Sequence, residues 1–128
     1  MLNPTGGTVR NDSGGSGYWQ ASRGVKVHEG ADFTLPEGPG QLVISPIGGV
    51  IERIAYPYSD TKEYSGVLIV GSDIWVKIFY IKPFVAFIGQ RVSMGEPIGI
   101  AQDISKRYPG ILPHIHLEVV KINPLILM

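Results

Sequence analysis

The chain contains no cysteine, which excludes both a disulfide framework and a thiolate-ligated zinc site. It carries no excess of charge: eleven basic residues balance eleven acidic ones, and the basic residues form no run. Nucleic-acid binding leaves a basic patch or stripe, and none is visible in the sequence. Long hydrophobic runs are missing too; the longest apolar stretches fall well short of a membrane span. The opening segment, MLNPTGGTVRNDSGGSG, lacks the apolar core and small-residue cleavage site of a secretory signal. An extracellular, periplasmic or virion-associated location then implies another export route, a leader already removed, or release by lysis. Finally, no segment of twelve or more residues shows an apolar stripe at helical spacing.

What remains is a chain of 128 residues, enough for one domain spanning 1–128 and one core. Hydrophobic residues make up 44% and charged residues 17%, a globular composition. Seventeen glycines and ten prolines break it into short pieces, which suits strands and turns. Residues 1–22, rich in Gly, Ser and Asn, read as an irregular lead-in wrapped over the domain. From Leu42 onward, β-branched runs of strand length alternate with Gly and Pro: 42–46, 49–55, 66–71, 74–81, 97–102 and 114–120. Their close spacing predicts an all-β fold, an antiparallel sheet folded into a compact barrel or barrel-like sandwich with long loops.

Two pieces look alike, 47–51 (IGGVI) and 88–100 (IGQRVSMGEPIGI). The second is a tight turn sequence of the kind found where strands bend sharply, its glycines supplying positive φ or close backbone approach; ordinary β-turns are the alternative. The second piece also resembles the turns of lipoyl- and biotinyl-carrier domains, but no lysine has the hairpin-tip context such carriers need.

The chemistry is concentrated in the histidines. There are three, all in two short clusters: His28-Glu-Gly-Ala-Asp32 and His114-Ile-His116, the latter followed by Leu117 and Glu118. On a strand, residues two apart share a face, so His114 and His116 project side by side. His28 and Asp32 can share a face on an extended segment or on a helical turn. Two imidazoles and a carboxylate suit zinc and leave a fourth tetrahedral position open. Spacing alone does not say which strand histidine is the ligand; the other would sit at the metal's edge, able to take a proton from bound water.

The order His-x3-Asp, then Gly-x-x-Val-x-x-Gly-x-x-Ile-Gly, then Pro-His-x-His-x-Glu-Val resembles the lysostaphin/LytM-type zinc endopeptidases, over roughly residues 20–124. Those enzymes cut peptide cross-links in bacterial cell walls and share a β-fold with a duplicated hybrid motif. The resemblance implies that His28, Asp32 and His116 hold Zn2+ and that His114 is the catalytic base. Arg23 and the pair Asn123-Pro124 also fall where that family has an arginine and a polar-proline pair.

One position departs from the pattern. The family carries a Tyr-x-His sequence whose histidine stabilises the transition state, and here the stretch reads Tyr80-Ile81-Lys82. Loss of such a donor typically costs about a hundred- to a thousand-fold in rate. Lys82 or Tyr80 would have to replace it, and a flexible ammonium is not an imidazole. VKIFYIKP and YPGILPHIHLE are similar to a chemotaxin-like branch with this same lysine, regarded as signalling rather than peptidase modules. That branch is disulfide-bonded; Asn11, Ser16, Trp75 and Val120 stand where its cysteines fall, which suits a bacterial or phage relative.

Two functions follow from the resemblance: a zinc endopeptidase acting on a bacterial cell-wall peptide or glycan, or a catalytically silent zinc module that recognises a ligand. Tyr18, Trp19, Tyr56, Tyr58 and Tyr64 lie in loop-like stretches and could wall a groove beside the metal. Tyr108, in Tyr108-Pro109-Gly110 just before the His114 strand, is placed for its rim, with Arg23 as a second substrate contact.

Overall fold

A computed structural model describes residues 1–9, 11–12, 15–16 and 30–123. A short pair, β1 (Asn11–Asp12) and β2 (Gly15–Ser16), runs antiparallel with Asn11 opposite Ser16. The body consists of β3 (Gly30–Thr34), β4 (Leu42–Ile44), β5 (Gly49–Ala55), β6 (Gly66–Val70), β7 (Ile74–Phe79), β8 (Ile81–Pro83), β9 (Arg91–Val92), β10 (Pro97–Ala101) and β11 (His114–Ile122). Two single 3-10 turns, Val85–Phe87 and Ile104–Lys106, are the helical elements among the described residues.

Six strands form one antiparallel sheet in the order β3-β11-β7-β6-β5-β9, and three form another in the order β4-β10-β8. The all-β expectation holds, but the sheets stay open at their edges and do not close into a barrel. The reason lies in the inward residues. Ile51, Ile69, Val76, Ile78, Ile115, Leu117 and Val119 of the large sheet meet Val43, Ile81, Ile98 and Ala101 of the small one in a single core. One face of each sheet is satisfied by the other, so closure is not required.

The run 74–81, expected as one strand, is two. Tyr80 has φ of 71° and is the one non-glycine in the left-handed region among the described residues. That bend takes the chain out of the large sheet at Phe79 and into the small sheet at Ile81. The strained residue is pinned on both sides: Tyr80 N–H and Ile81 N–H donate to the Ser65 carbonyl, and Gln102 N–H donates to the Tyr80 carbonyl.

The glycines of 88–100 behave as expected. Gly89 and Gly95 have φ of 84° and 94°. The first residues are less irregular than their composition suggests. Leu2 N–H donates to Pro46, Ile44 N–H to Pro4 and Thr34 N–H to Thr8, so residues 1–9 tie β4 to β3, with Pro4 fully buried.

Candidate metal centre

β11 alternates strictly over its first six residues. Ile115, Leu117 and Val119 enter the core, while His114, His116 and Glu118 lie on the opposite face. Antiparallel pairing sets Asp32 of β3 directly across from His116, and Thr34 across from His114. Two distant stretches of sequence thereby bring a carboxylate and two imidazoles to one patch of sheet.

The contacts there are close. His116 Nδ1 is 2.6 Å from Asp32 Oδ1, and His114 Nε2 is 3.8 Å from Asp32 Oδ2. His116 Nε2 lies 3.7 Å from Glu118 Oε1. Asp32 and His114 are buried, and His116 is half-buried. Burial disfavours a charged imidazole, but the Asp32 hydrogen bond and the Glu118 carboxylate outweigh it and hold the His116 pKa up to about 9. The site thus stabilises a positive charge between two carboxylates.

His114 is held differently. Its Nδ1 is 2.7 Å from the Leu112 carbonyl, which can only accept, so Nδ1 carries the proton. In the neutral ring Nε2 is then the acceptor nitrogen, and it is the one turned toward Asp32.

Beside His114 stands a wall of tyrosines. The Tyr80 ring meets His114 edge-on with centroids 5.5 Å apart. The Tyr80 hydroxyl is 2.9 Å from that of Tyr58, and the rings of Tyr64 and Tyr108 pack against the Tyr58 ring with centroids 6.1 and 6.5 Å away. Arg107 lies over Tyr58, its guanidinium carbon 4.0 Å from the ring centre, and Nε donates to the Tyr108 hydroxyl. Burial raises the Tyr58 and Tyr80 phenols above their ordinary range. The Tyr58 hydrogen bond and then the Arg107 contact lower that of the exposed Tyr108. The wall therefore runs from a buried, protonated end at His114 to a solvent-facing, cationic end at Arg107.

Of the residues nominated from sequence, Asp32, His114, His116, Tyr80, Tyr58, Tyr64 and Tyr108 come together here. Tyr56 is exposed and instead faces Lys62. Lys82 is exposed on β8 opposite Ile100, in the small sheet, and takes part in none of the side-chain hydrogen bonds or ion pairs among the described residues. Asn123 donates to Asp73 at the end of β11. His28, Arg23, Tyr18, Trp19 and Pro124 lie outside the described residues. Arg107 was not singled out from sequence, although it directly precedes Tyr108.

The donor set fits zinc in part. Asp32 Oδ1 and His116 Nδ1 converge on one point from neighbouring strands, and the proton they share sits where a cation would be stabilised. Among the described residues, no group of three His, Asp or Glu side chains is arranged to hold a metal ion. Zinc held here would need a third donor from outside them.

No protein-family model matches the chain. It is 36% identical over 108 residues to leukocyte cell-derived chemotaxin-2 of Bos taurus and 35% identical to that of Mus musculus, covering 84% of this chain and 69% of each relative. It is also 32% identical over 121 residues to myeloid protein 1 of Gallus gallus, covering 91% of this chain but 36% of that protein. With more than a third of the aligned residues shared over most of both partners, the chain belongs to the leukocyte cell-derived chemotaxin-2 family.

Proposed function

We propose that the protein is a zinc-holding recognition module of the chemotaxin kind, presenting the tyrosine cluster beside His114 to an extracellular ligand. Zn2+ would be held by Asp32 and His116, with His28 as the third donor. The observation that carries this reading is the 2.6 Å approach of His116 Nδ1 to Asp32 Oδ1 across β3 and β11, with a pKa raised by neighbouring carboxylates. Sites that stabilise an imidazolium between carboxylates stabilise a bound cation for the same reason. The relatives are chemotaxins by name, which favours recognition over hydrolysis.

Lys82 supports the same side. The motif resemblance asks for a rigid imidazole donor at that position, and an exposed lysine on a flexible stem is not one. A module of this kind needs only that the metal, His114 and the tyrosines stay fixed relative to one another. The hydrogen bond between the Tyr58 and Tyr80 hydroxyls and the Leu112 carbonyl on His114 support that for the side chains.

One feature favours the endopeptidase reading: the tautomer that leaves His114 Nε2 as an acceptor turned toward Asp32. Bound zinc would polarise a peptide carbonyl and acidify its water, and His114 could take the proton that water gives up. Zinc-loaded protein incubated with purified peptidoglycan separates the two readings. Stoichiometric zinc without release of soluble fragments supports the recognition module. Release that is sensitive to chelator and lost in His114→Ala would replace it with the peptidase.

A further inference from the structure

One row of side chains on the outer face of the large sheet has no part in the site at His116. The register sets Arg91 of β9 against Val50 of β5, and Val50 against Val70 of β6. It then sets Val70 against Trp75 of β7, and Trp75 against Lys121 of β11. Their strand neighbours Val92, Ile51, Ile69 and Val76 are in the core, so this row points away from it. Val50, Val70 and Trp75 are half-buried, while Arg91 and Lys121 are exposed. The row is an apolar strip with a cation at each end. Lys121 Nζ rests over the Trp75 ring, 4.8 Å from its centre, which fixes where that charge stands.

The next row toward His116 contains Arg53, Leu68 and Lys77, register partners on β5, β6 and β7. Of the acids nearby, Glu118 faces His116 and Asp73 accepts from Asn123. Glu52 falls in the bulge of β5 between Ile51 and Arg53. The cations of the two rows therefore set the sign of this face, and they attract an acidic partner.

We propose that the row binds an extended acidic peptide, with one carboxylate on Arg91, one on Lys121 and apolar side chains on the strip between them. Neither zinc nor the tyrosine cluster enters into this. The dimensions agree: a row across five strands places its ends about 19 Å apart, and six steps of an extended peptide span about 20 Å. Alternate side chains of such a peptide face the same way, so a seven-residue segment presents acid, apolar, apolar, acid to the sheet. A sulfated polysaccharide carries charge along its whole length and would set some of it over Val50 and Val70, where the row has no cation.

The probe is acetyl-Glu-Thr-Val-Ser-Leu-Thr-Glu-amide, titrated into the 15N-labelled full chain with amide and indole shifts followed by NMR. Saturable shifts are expected along the row from Arg91 to Lys121, with a Kd of about 1 mM or tighter that weakens as salt rises. Arg91→Gln and Lys121→Gln should each weaken binding about two- to fivefold, and the peptide with Gln for both Glu about tenfold. Shifts absent from the row, or confined to the tyrosine cluster, overturn the proposal. So does equal binding of the Gln peptide. A heparin tetrasaccharide that binds the row more tightly than the acidic peptide overturns the peptide as its occupant.

Discussion

Asp32 and His116 are direct partners in the β3–β11 ladder, and Asp32 Oδ1 accepts from His116 Nδ1–H at 2.6 Å. That one pairing joins residues 84 positions apart. It also makes the site depend on register: a one-residue slip of β3 would turn Asp32 toward the core and replace it with Ala31 or Phe33.

The first prediction concerns the acid side of this pair. Asp32→Asn keeps the shape but removes the charge that holds the imidazolium. In metal-free protein the His116 pKa should fall from about 9 toward its ordinary value of 6.5, read by NMR titration. An unchanged value in Asp32→Asn would mean that Asp32 does not set it.

The pH dependence of metal-free stability follows from the same shift. The folded pKa is raised above the unfolded one, so the stabilisation is complete below about 6.5 and is lost as pH climbs through about 9. Denaturant midpoints measured from pH 6 to 10 should fall across that window. Zinc must displace the same proton, so zinc affinity should rise with pH over the same range. A flat stability profile, or affinity that does not rise, would contradict the assignment.

Tyr80 offers a test of backbone strain. Its φ of 71° favours glycine, and its ring contacts His114 and Tyr58. Replacing it by alanine loses the contacts and keeps the strain, while glycine loses the contacts and relieves it. Tyr80→Gly should therefore be more stable than Tyr80→Ala by about 1 kcal/mol. Tyr80→Phe should cost about 1 kcal/mol through the lost hydroxyl contact with Tyr58. Urea denaturation of the three variants measures both differences.

Gly66 is a simpler case. A Cβ there would run into the backbone of Ile78 and Phe79 on β7, with Phe79 Cα 2.9 Å away. Neither is the end of a flexible side chain, so Gly66→Ala should lower stability by more than about 2 kcal/mol and disturb the sheet beside His116. A thermal midpoint within a degree of wild type would show that the strand adjusts freely.

Much of this was readable in the sequence because the signals were local. β5 begins and ends where the run 49–55 predicts, and β6 and β10 differ from theirs by one residue at one end. H-x-H and the alternation of β11 put His114 and His116 on one face without further help. β3 was missed as a strand because Gly30-Ala31-Asp32 has low β-propensity; pairing with β11 overrides it. The break at Tyr80 was hidden for the opposite reason: its neighbours Phe79 and Ile81 are strong strand formers, and only the hydrogen bonds to Ser65 and Gln102 hold the bend. The choice between a barrel and a sandwich was not legible, because alternation reports a buried face and not what covers it; the two open sheets settle it. Arg107 carried no pattern of its own, since its place over Tyr58 depends on a fold that joins residues 49 apart in sequence.

The central claim is that Asp32 and His116 hold zinc, and the amount of zinc retained tests it most directly. Protein loaded with zinc and dialysed into metal-free buffer should retain one ion per chain by mass spectrometry of the metal, while Asp32→Ala and His116→Ala, folded by circular dichroism, should retain almost none. Wild type that emerges without zinc, or variants that keep it, would contradict the account.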